Sequence, residues 1–406
     1  MLALQELITT ITLNNTRKRP KFSFRFIILW FLNYGDFTLL KKYFLNAEFH
    51  SKRILIAPLD WGLGHAVRCI PIIRYLLELG CQVNIAATGN QKTLLQNEFP
   101  DLSFLELPGY NVTYSKSKRR MPLKILVQIP KILKIIRTER KWLETAVEKE
   151  HFDVVISDNR YGFDNEKTHS VFITHQLQVK SRFSFLETLL RKISYRYINK
   201  FSECWVLDLE GKFNIAGALS HPVSLPSIPV KYIGPVSRFR KIEQMQSRYK
   251  WMVIISGPEP QRTLFEEKIL TAARSMEDSF LIIRGMPDES KPFLHLPNCT
   301  LFNHLSTHEL EESISSSDFI ISRCGYTTLM EMLSLQKRSV LIPTPGQTEQ
   351  EYLGRHVMEQ HWCYSFTQNQ NFAEHLKKAE VFTFDLPNID VNLYKKVLKD
   401  MMSSLP

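Results

Sequence analysis

The nine residues "DWGLGHAVR" (60–68) place two glycines around one leucine, with a histidine directly behind them at the start of an apolar run of helical spacing. A glycine turn lets backbone approach a ligand, and histidine is the side chain that most often moves a proton near neutral pH. The same stretch could be a dinucleotide fingerprint or a bare turn. Gly62-x-Gly64-x-x-Val67 lacks the third glycine of G-x-G-x-x-G, and no acidic residue closes the next apolar run, "VNIAATGN" (83–90). A nicotinamide dinucleotide is therefore not supported. The positive end of a helix disfavours an imidazolium, so His65 is expected to be neutral and able to act as a base. The alternative is a polar residue that only opens the helix.

Other apolar runs of the first half also end in polar side chains. "VVISDNRYG" (154–162) sets Asp158, Asn159 and Arg160 just past a run of strand character, and "VFITHQ" (171–176) does the same with His175 and Gln176. Asp158 could orient His65 or bind acceptor hydroxyls, and an ion pair with Arg160 is the structural alternative. Asn159, Arg160, His175 and Gln176 are candidates for the acceptor side.

In the second half, "SRCGYTT" (322–328) supplies an arginine, a glycine turn and two hydroxyls where a helix begins. Free N–H groups, the helix dipole, Thr327, Thr328 and Arg323 together suit a diphosphate. Glu331 lies four residues beyond Thr327, on the same helix side, where a carboxylate can accept two hydrogen bonds from ribose hydroxyls. In "PTPGQTEQEY" (343–352), Gln347, Glu349 and Gln350 follow a Pro/Gly loop and can read sugar hydroxyls.

These residues need strands to carry them. "RILIAPL" (53–59), "CQVNIAAT" (81–88), "LSFLEL" (102–107), "DVVIS" (153–157) and "SVFIT" (170–174) alternate with helical segments at 65–79, 90–98 and 123–149. A second series, "WMVIISG" (251–257), "FLIIRG" (280–285), "CTLFNHL" (299–305), "DFIIS" (318–322) and "RSVLIPT" (338–344), repeats the pattern. Strands alternating with helices imply parallel βαβ units, so the chain is expected to be α/β with two Rossmann-like, doubly wound domains. In such sheets ligands bind beyond the carboxyl ends of the strands, where these polar residues fall. The expected boundaries are an N-terminal extension over 1–51, a first Rossmann-like domain over 52–233, a linker over 234–250, a second Rossmann-like domain over 251–384 and a C-terminal helix over 385–406.

The 406 residues and 44% hydrophobic content are enough for two cores, and the net charge of +11 suits anionic ligands. No RNA- or DNA-binding signature accompanies that charge, so nucleic acid is not expected as a partner. The six cysteines form no C-x-x-C pair, which argues against a zinc knuckle or a disulfide framework and suits reduced thiols in the cytoplasm. In 1–50, seven Lys/Arg stand against three Asp/Glu, and "FIILWFL" (26–32) is too short to cross a bilayer, which takes about 20 helical residues. That segment reads as a membrane-touching leader or as an extension ahead of the first domain. "YSKSKRRMPLKILVQIPKILKIIRTERKW" (114–142) combines Lys116, Lys118, Arg119 and Arg120 with a basic amphipathic run. It could lie on an anionic membrane, or it could be a core helix with a solvated basic face.

"SRCGYTTLMEM" (322–332) resembles the donor-binding motif of GT-B glycosyltransferases, and of glycosyltransferase family 28 in particular. The resemblance covers about 52–365 and implies two domains facing across a cleft. Arg323, Gly325, Thr328 and Glu331 match the motif position by position, with Tyr326 and Thr327 between them, and Glu349 and Gln350 resemble the pair that contacts the donor sugar. "GLGH" resembles the family's N-terminal glycine loop, with Gly64 and His65 at its end. "ISGPEPQR" (255–262) stands at the second glycine loop, with Ser256, Gly257 and Arg262 as donor-side candidates and with Pro258 and Pro260 replacing flexible residues. The resemblance implies an inverting hexosyltransferase that takes a nucleotide diphosphate sugar, UDP-linked by analogy. No D-x-D motif is found, in keeping with a metal-independent enzyme that needs no cofactor. His65, assisted by Asp158, would be the base. The acceptor is unidentified, and a lipid-linked one would put the protein at the inner face of the cytoplasmic membrane. An epimerase or hydrolase of the same fold, or a catalytically silent sugar-nucleotide binding protein, would share the donor site.

Overall fold

The computed structural model describes residues 52–107, 109, 121–180, 184–239, 246–286 and 296–405, the side chains of 121–129 and 184 excepted. The N-terminal extension, Lys116, Lys118, Arg119, Arg120 and part of the expected linker lie outside the described residues.

The first half is built on β1 (Arg53–Pro58), β2 (Gln82–Ala87), β3 (Ser103–Glu106), β4 (Val154–Asp158), β5 (His169–Thr174), β6 (Glu203–Val206) and β7 (Val230–Tyr232). All pair in parallel, in the order β3-β2-β1-β4-β5-β6-β7. Ile54, Leu55, Ile56, Val154, Val155 and Ile156 are fully buried, as expected of central strands covered on both faces. The helices that cover them are α1 (Leu63–Glu78), α2 (Gly89–Glu98), α3 (Met121–Glu150) and α4 (Ser184–Ile198). Strands β6 and β7 extend the sheet beyond the five strands expected.

The second sheet has β8 (Tyr249–Ile254), β9 (Phe280–Ile283), β10 (Cys299–Phe302), β11 (Ser317–Arg323), β12 (Ser339–Ile342) and β13 (Tyr364–Ser365), in the order β10-β9-β8-β11-β12-β13. Its helices are α5 (Gln261–Arg274), α6 (Thr307–Ser315), α7 (Tyr326–Ser334), α8 (Thr348–Glu359) and α9 (Phe372–Glu380). Trp251, Phe265, Phe280, Phe319 and Phe372 fill its core. Each such side chain, removed from water, contributes about 1.5–3 kcal/mol.

The expected C-terminal helix is shorter than 385–406: α10 spans Leu393–Ser404. It returns to the first half and sets Tyr394 edge-on to Tyr75 of α1, with ring centroids 6.1 Å apart. Strand β8 likewise begins two residues before the expected start of the second domain, taking Tyr249 and Lys250 from the linker.

Both sheets reverse strand order beside their first strand, between β1 and β4 and between β8 and β11. Ligand crevices open at such switch points. The loop after β1 leads into His65 in the first turn of α1, and β4 ends at Asp158. The loop after β8 carries Ser256 and Gly257, and β11 ends at Arg323.

Candidate active site

Gly62 caps α1 with φ 117°, a conformation that L side chains rarely adopt, and so turns the chain directly from strand into helix. This brings His65 into the first turn of α1, where Nδ1 lies 3.0 Å from Asp158 Oδ2. Asp158 is fully buried and also bound by Arg68, through Nε at 2.8 Å and through Nη2. Arg68 reaches two further groups: Nη2 lies 2.8 Å from His65 Nδ1, and Nη1 lies 2.9 Å from His175 Nδ1.

The expected neutrality of His65 has a different cause from the one expected. Burial and the neighbouring Arg68 charge lower its pKa, against the opposing pull of Asp158. Burial alone would raise the Asp158 carboxyl, but Arg68 and His65 hold it down at about 2. The base candidate is thus neutral at neutral pH, and the carboxylate beside it is ionised.

The ion pair of Asp158 is with Arg68 rather than Arg160. Arg160 is fully buried and works as a strut, with Nε on Pro58 O at 2.7 Å, Nη1 on Glu139 Oε1 of α3 at 2.5 Å and Nη2 3.7 Å from Asp60. Asn159 takes a left-handed φ of 59° and donates its N–H to Ile173 O, so it shapes the turn after β4. Gln176 is half-buried, and its N–H is held by Thr174 Oγ1 at 3.0 Å.

The two halves meet at this cluster. His175 Nε2 lies 2.9 Å from Glu349 Oε1 in the first turn of α8, and its ring stacks on Tyr326 at 4.4 Å, 7° from parallel. Tyr326 donates its hydroxyl to Leu207 O, in the loop after β6. Thr327 donates to Gly64 O at 3.2 Å, and a Cβ on residue 64 would sit 3.1 Å from that hydroxyl, so the second glycine serves close approach. Burial would raise the Glu349 carboxyl, but His175 and Arg68 hold it below its usual range.

The start of α7 is built like an anion site. Its N-cap is Gly325, with no side-chain cap, and a Cβ there would meet nothing within 4 Å. Thr328 is half-buried in the first turn. Arg323 is 2% exposed; Nη2 donates to Gln261 O at 2.7 Å, while Nε and Nη1 are buried without a hydrogen-bond partner. The guanidinium lies over the Phe265 ring, its Cζ 4.1 Å from the ring centroid, which closes these two donors off from solvent. Burial lowers the Arg323 pKa to about 10, which leaves it charged at neutral pH.

Glu331 is buried on α7 with Oε1 3.0 Å from Arg238 Nε, although neither atom has an aligned hydrogen bond. Burial raises its pKa, against Arg238. Gln350 Oε1 accepts from Thr344 N at 2.8 Å and Gln347 N donates to Thr344 O at 3.1 Å, so both shape the loop between β12 and α8. Ser256 and Gly257 are exposed in the loop after β8. Arg262 is saturated by Glu259 at 2.5 Å and Glu266 at 2.7 Å, so its charge is neutralised within α5 and the loop before it.

The structure therefore brings together His65, Asp158, His175, Tyr326, Thr327 and Glu349, while Arg262 and Arg160 are occupied elsewhere. Sequence reasoning missed Arg68 and Arg238. Arg68 had a signal, being three residues after His65 and the one charge in the run "HAVRCIPII" (65–73). Arg238 had none, because its partner Glu331 is 93 residues away.

Comparison with known proteins agrees with this geometry. The model of the glycosyltransferase family 28 C-terminal domain matches residues 277–381. An uncharacterized glycosyltransferase of Methanosarcina mazei is 24% identical over 321 residues, covering 74% of this chain and 82% of its own. A Bacillus cereus protein named UDP-N-acetylglucosamine--N-acetylmuramyl-(pentapeptide) pyrophosphoryl-undecaprenol N-acetylglucosamine transferase 1 is 22% identical, covering 76% and 83%. Among solved structures, the glycotransferase of kitacinnamycin superposes with a TM-score of 0.57 at 14% identity, covering 87% of this chain and 95% of its own. The spinosyn rhamnosyltransferase SpnG complexed with thymidine diphosphate gives 0.56 at 13% identity, covering 87% and 97%. Sequence likeness along three quarters of the chain and two doubly wound sheets meeting at one rim converge on a single conclusion: the chain is a glycosyltransferase of GT-B fold, resembling glycosyltransferase family 28.

Proposed function

We propose that this glycosyltransferase is an inverting, metal-independent enzyme that moves a sugar from a nucleoside diphosphate sugar to an acceptor hydroxyl. The observation that carries the reading is the contact of Thr327 with Gly64, which sets the uncapped start of α7 against the loop that bears His65. A diphosphate on α7 and a proton acceptor for the incoming hydroxyl then share one site.

In the reaction, the acceptor oxygen attacks the anomeric carbon from the face opposite the diphosphate. The new C–O bond forms as the bond to the diphosphate oxygen breaks and its electron pair leaves with the diphosphate. His65 takes the acceptor proton, and Asp158 stabilises the imidazolium that results. The charge developing on the leaving group is met by the free N–H groups of α7, the Thr328 hydroxyl and the field of the buried Arg323 charge, which supply what a metal gives in other transferases. Glu331, four residues beyond Thr327 on the same side of α7, suits the ribose hydroxyls. The UDP assignment rests on the likeness to the Bacillus cereus transferase.

The acceptor we propose is lipid-linked and is met at the inner face of the cytoplasmic membrane. Trp61 and Leu63 beside the base loop are 40% and 44% exposed, an apolar rim that suits a lipid chain. Exposed Leu189 and Ile193 on α4 alternate with exposed Lys192 and Arg196, which suits peripheral contact with an anionic surface. No described helix is long and apolar enough to cross a membrane.

Calorimetric titration with UDP, GDP and dTDP, repeated on Glu331→Ala, tests the donor site. One nucleotide should bind, and loss of the Glu331 hydrogen bonds should weaken it by about 1–3 kcal/mol. If none binds at millimolar concentration to the folded protein, the reading fails. Gly325→Ala gives a second check. Its φ of −83° is open to alanine and the added methyl meets no protein atom, so the loss of stability should be about 1 kcal/mol, the cost of alanine at an N-cap. The methyl projects into free space at the start of α7, so nucleotide binding should weaken markedly; unchanged binding would move the diphosphate away from α7.

A further inference from the structure

We propose that Arg68 is a positioning residue that sets which ring nitrogen carries the proton in both His65 and His175. The inference rests on His65 being the base of the proposed reaction.

A guanidinium has donors only. With Arg68 Nη1 2.9 Å from His175 Nδ1, that nitrogen must accept, so the His175 proton sits on Nε2, where Glu349 Oε1 receives it at 2.9 Å. The same logic applies at His65, whose Nδ1 faces Arg68 Nη2 at 2.8 Å and Asp158 Oδ2 at 3.0 Å. A proton on Nδ1 would face the donor Nη2, so Nδ1 accepts and the proton of the neutral ring goes to Nε2.

That tautomer cannot accept a proton at Nε2. The working base needs Nδ1–H on Asp158 with Nε2 bare, which requires Arg68 Nη2 to withdraw. The charged and titratable groups around His65 are Arg68 on its own helix, Asp158 at the end of β4, His175 after β5 and Glu349 on α8. Arg68 and His175 oppose a charge on the ring, and the two carboxylates favour one.

Long-range proton–nitrogen correlation spectra of the full chain with nitrogen-15 histidine read the tautomers directly, with His65 and His175 assigned from His65→Gln and His175→Gln. In the unliganded protein near neutral pH, both rings should carry the proton on Nε2. Arg68→Met should move the His65 proton toward Nδ1, facing Asp158, while Glu349 keeps the His175 proton on Nε2. A proton on His65 Nδ1 in the unliganded wild-type protein overturns the assignment. A His65 signal unchanged by Arg68→Met overturns the role assigned to Arg68. Neither spectrum uses a nucleotide or turnover, so a failure here is distinct from a failure of the transferase reading, which shows as absent nucleotide binding.

Discussion

His65→Gln is expected to remove transfer while leaving nucleotide binding intact. A positioned general base contributes roughly 10²- to 10⁴-fold to rate, so product formation should fall by about that factor. Glutamine keeps a similar size and an amide donor for Asp158, so the pair with Arg68 and the fold should persist. The donor groups lie on the other half of the molecule, on α7, and calorimetry should give the wild-type affinity. Loss of rate with retained binding separates a catalytic His65 from the alternative of a polar helix-start residue. A variant with full activity would remove His65 from the mechanism, and one that also lost nucleotide binding would point to a structural role at the contact of Thr327 with Gly64.

Asp158→Asn should cost more stability than any surface substitution, about 3–5 kcal/mol, because it leaves the Arg68 guanidinium buried beside an uncharged amide. Arg68 is 3% exposed and Asp158 is fully buried, so water cannot replace the lost partner. Thermal melting at neutral pH measures the loss. The pH dependence of stability gives a second readout. Folding lowers the Asp158 carboxyl from an ordinary 3.8 to about 2. A carboxyl lowered by folding stabilises the protein above its unfolded pKa, and that contribution disappears as the pH falls from about 4 toward about 2. Asp158→Asn should therefore flatten the acid limb of the melting profile over that window. A variant with wild-type melting temperature and an unchanged acid limb would show that the buried pair contributes nothing net.

The legibility of this protein from its sequence follows a physical division. Runs such as "RILIAP" and "WMVII" are apolar at successive positions, as a strand covered on both faces requires, and their alternation with helical spacing was enough to imply parallel sheets. The ends of β1, β4 and β11 place polar side chains at sheet switch points, so His65, Asp158 and Arg323 could be picked out before any coordinates. Strands β6, β7 and β13 were missed because "ECWV", "VKY" and "YS" are short and mix charged or polar residues into the run, so none stands out as apolar.

Pairing across the molecule was decided only by the tertiary structure. Asp158 had Arg160 two residues away as an apparent partner, yet the turn after β4, with Asn159 left-handed, sends Arg160 to Glu139 of α3 and leaves Asp158 to Arg68 on α1. Glu349 and Tyr326 read as donor-side groups, and in the folded chain they meet His175 from the opposite half. The sequence by itself determined the two sheets, the strand ends and the types of chemistry stationed there, because periodicity and turn residues act over a few neighbouring positions. Which cation neutralises which carboxylate, and that the two halves touch at His65, depends on contacts between residues 90 to 263 positions apart, and only the packing of whole elements brings those together.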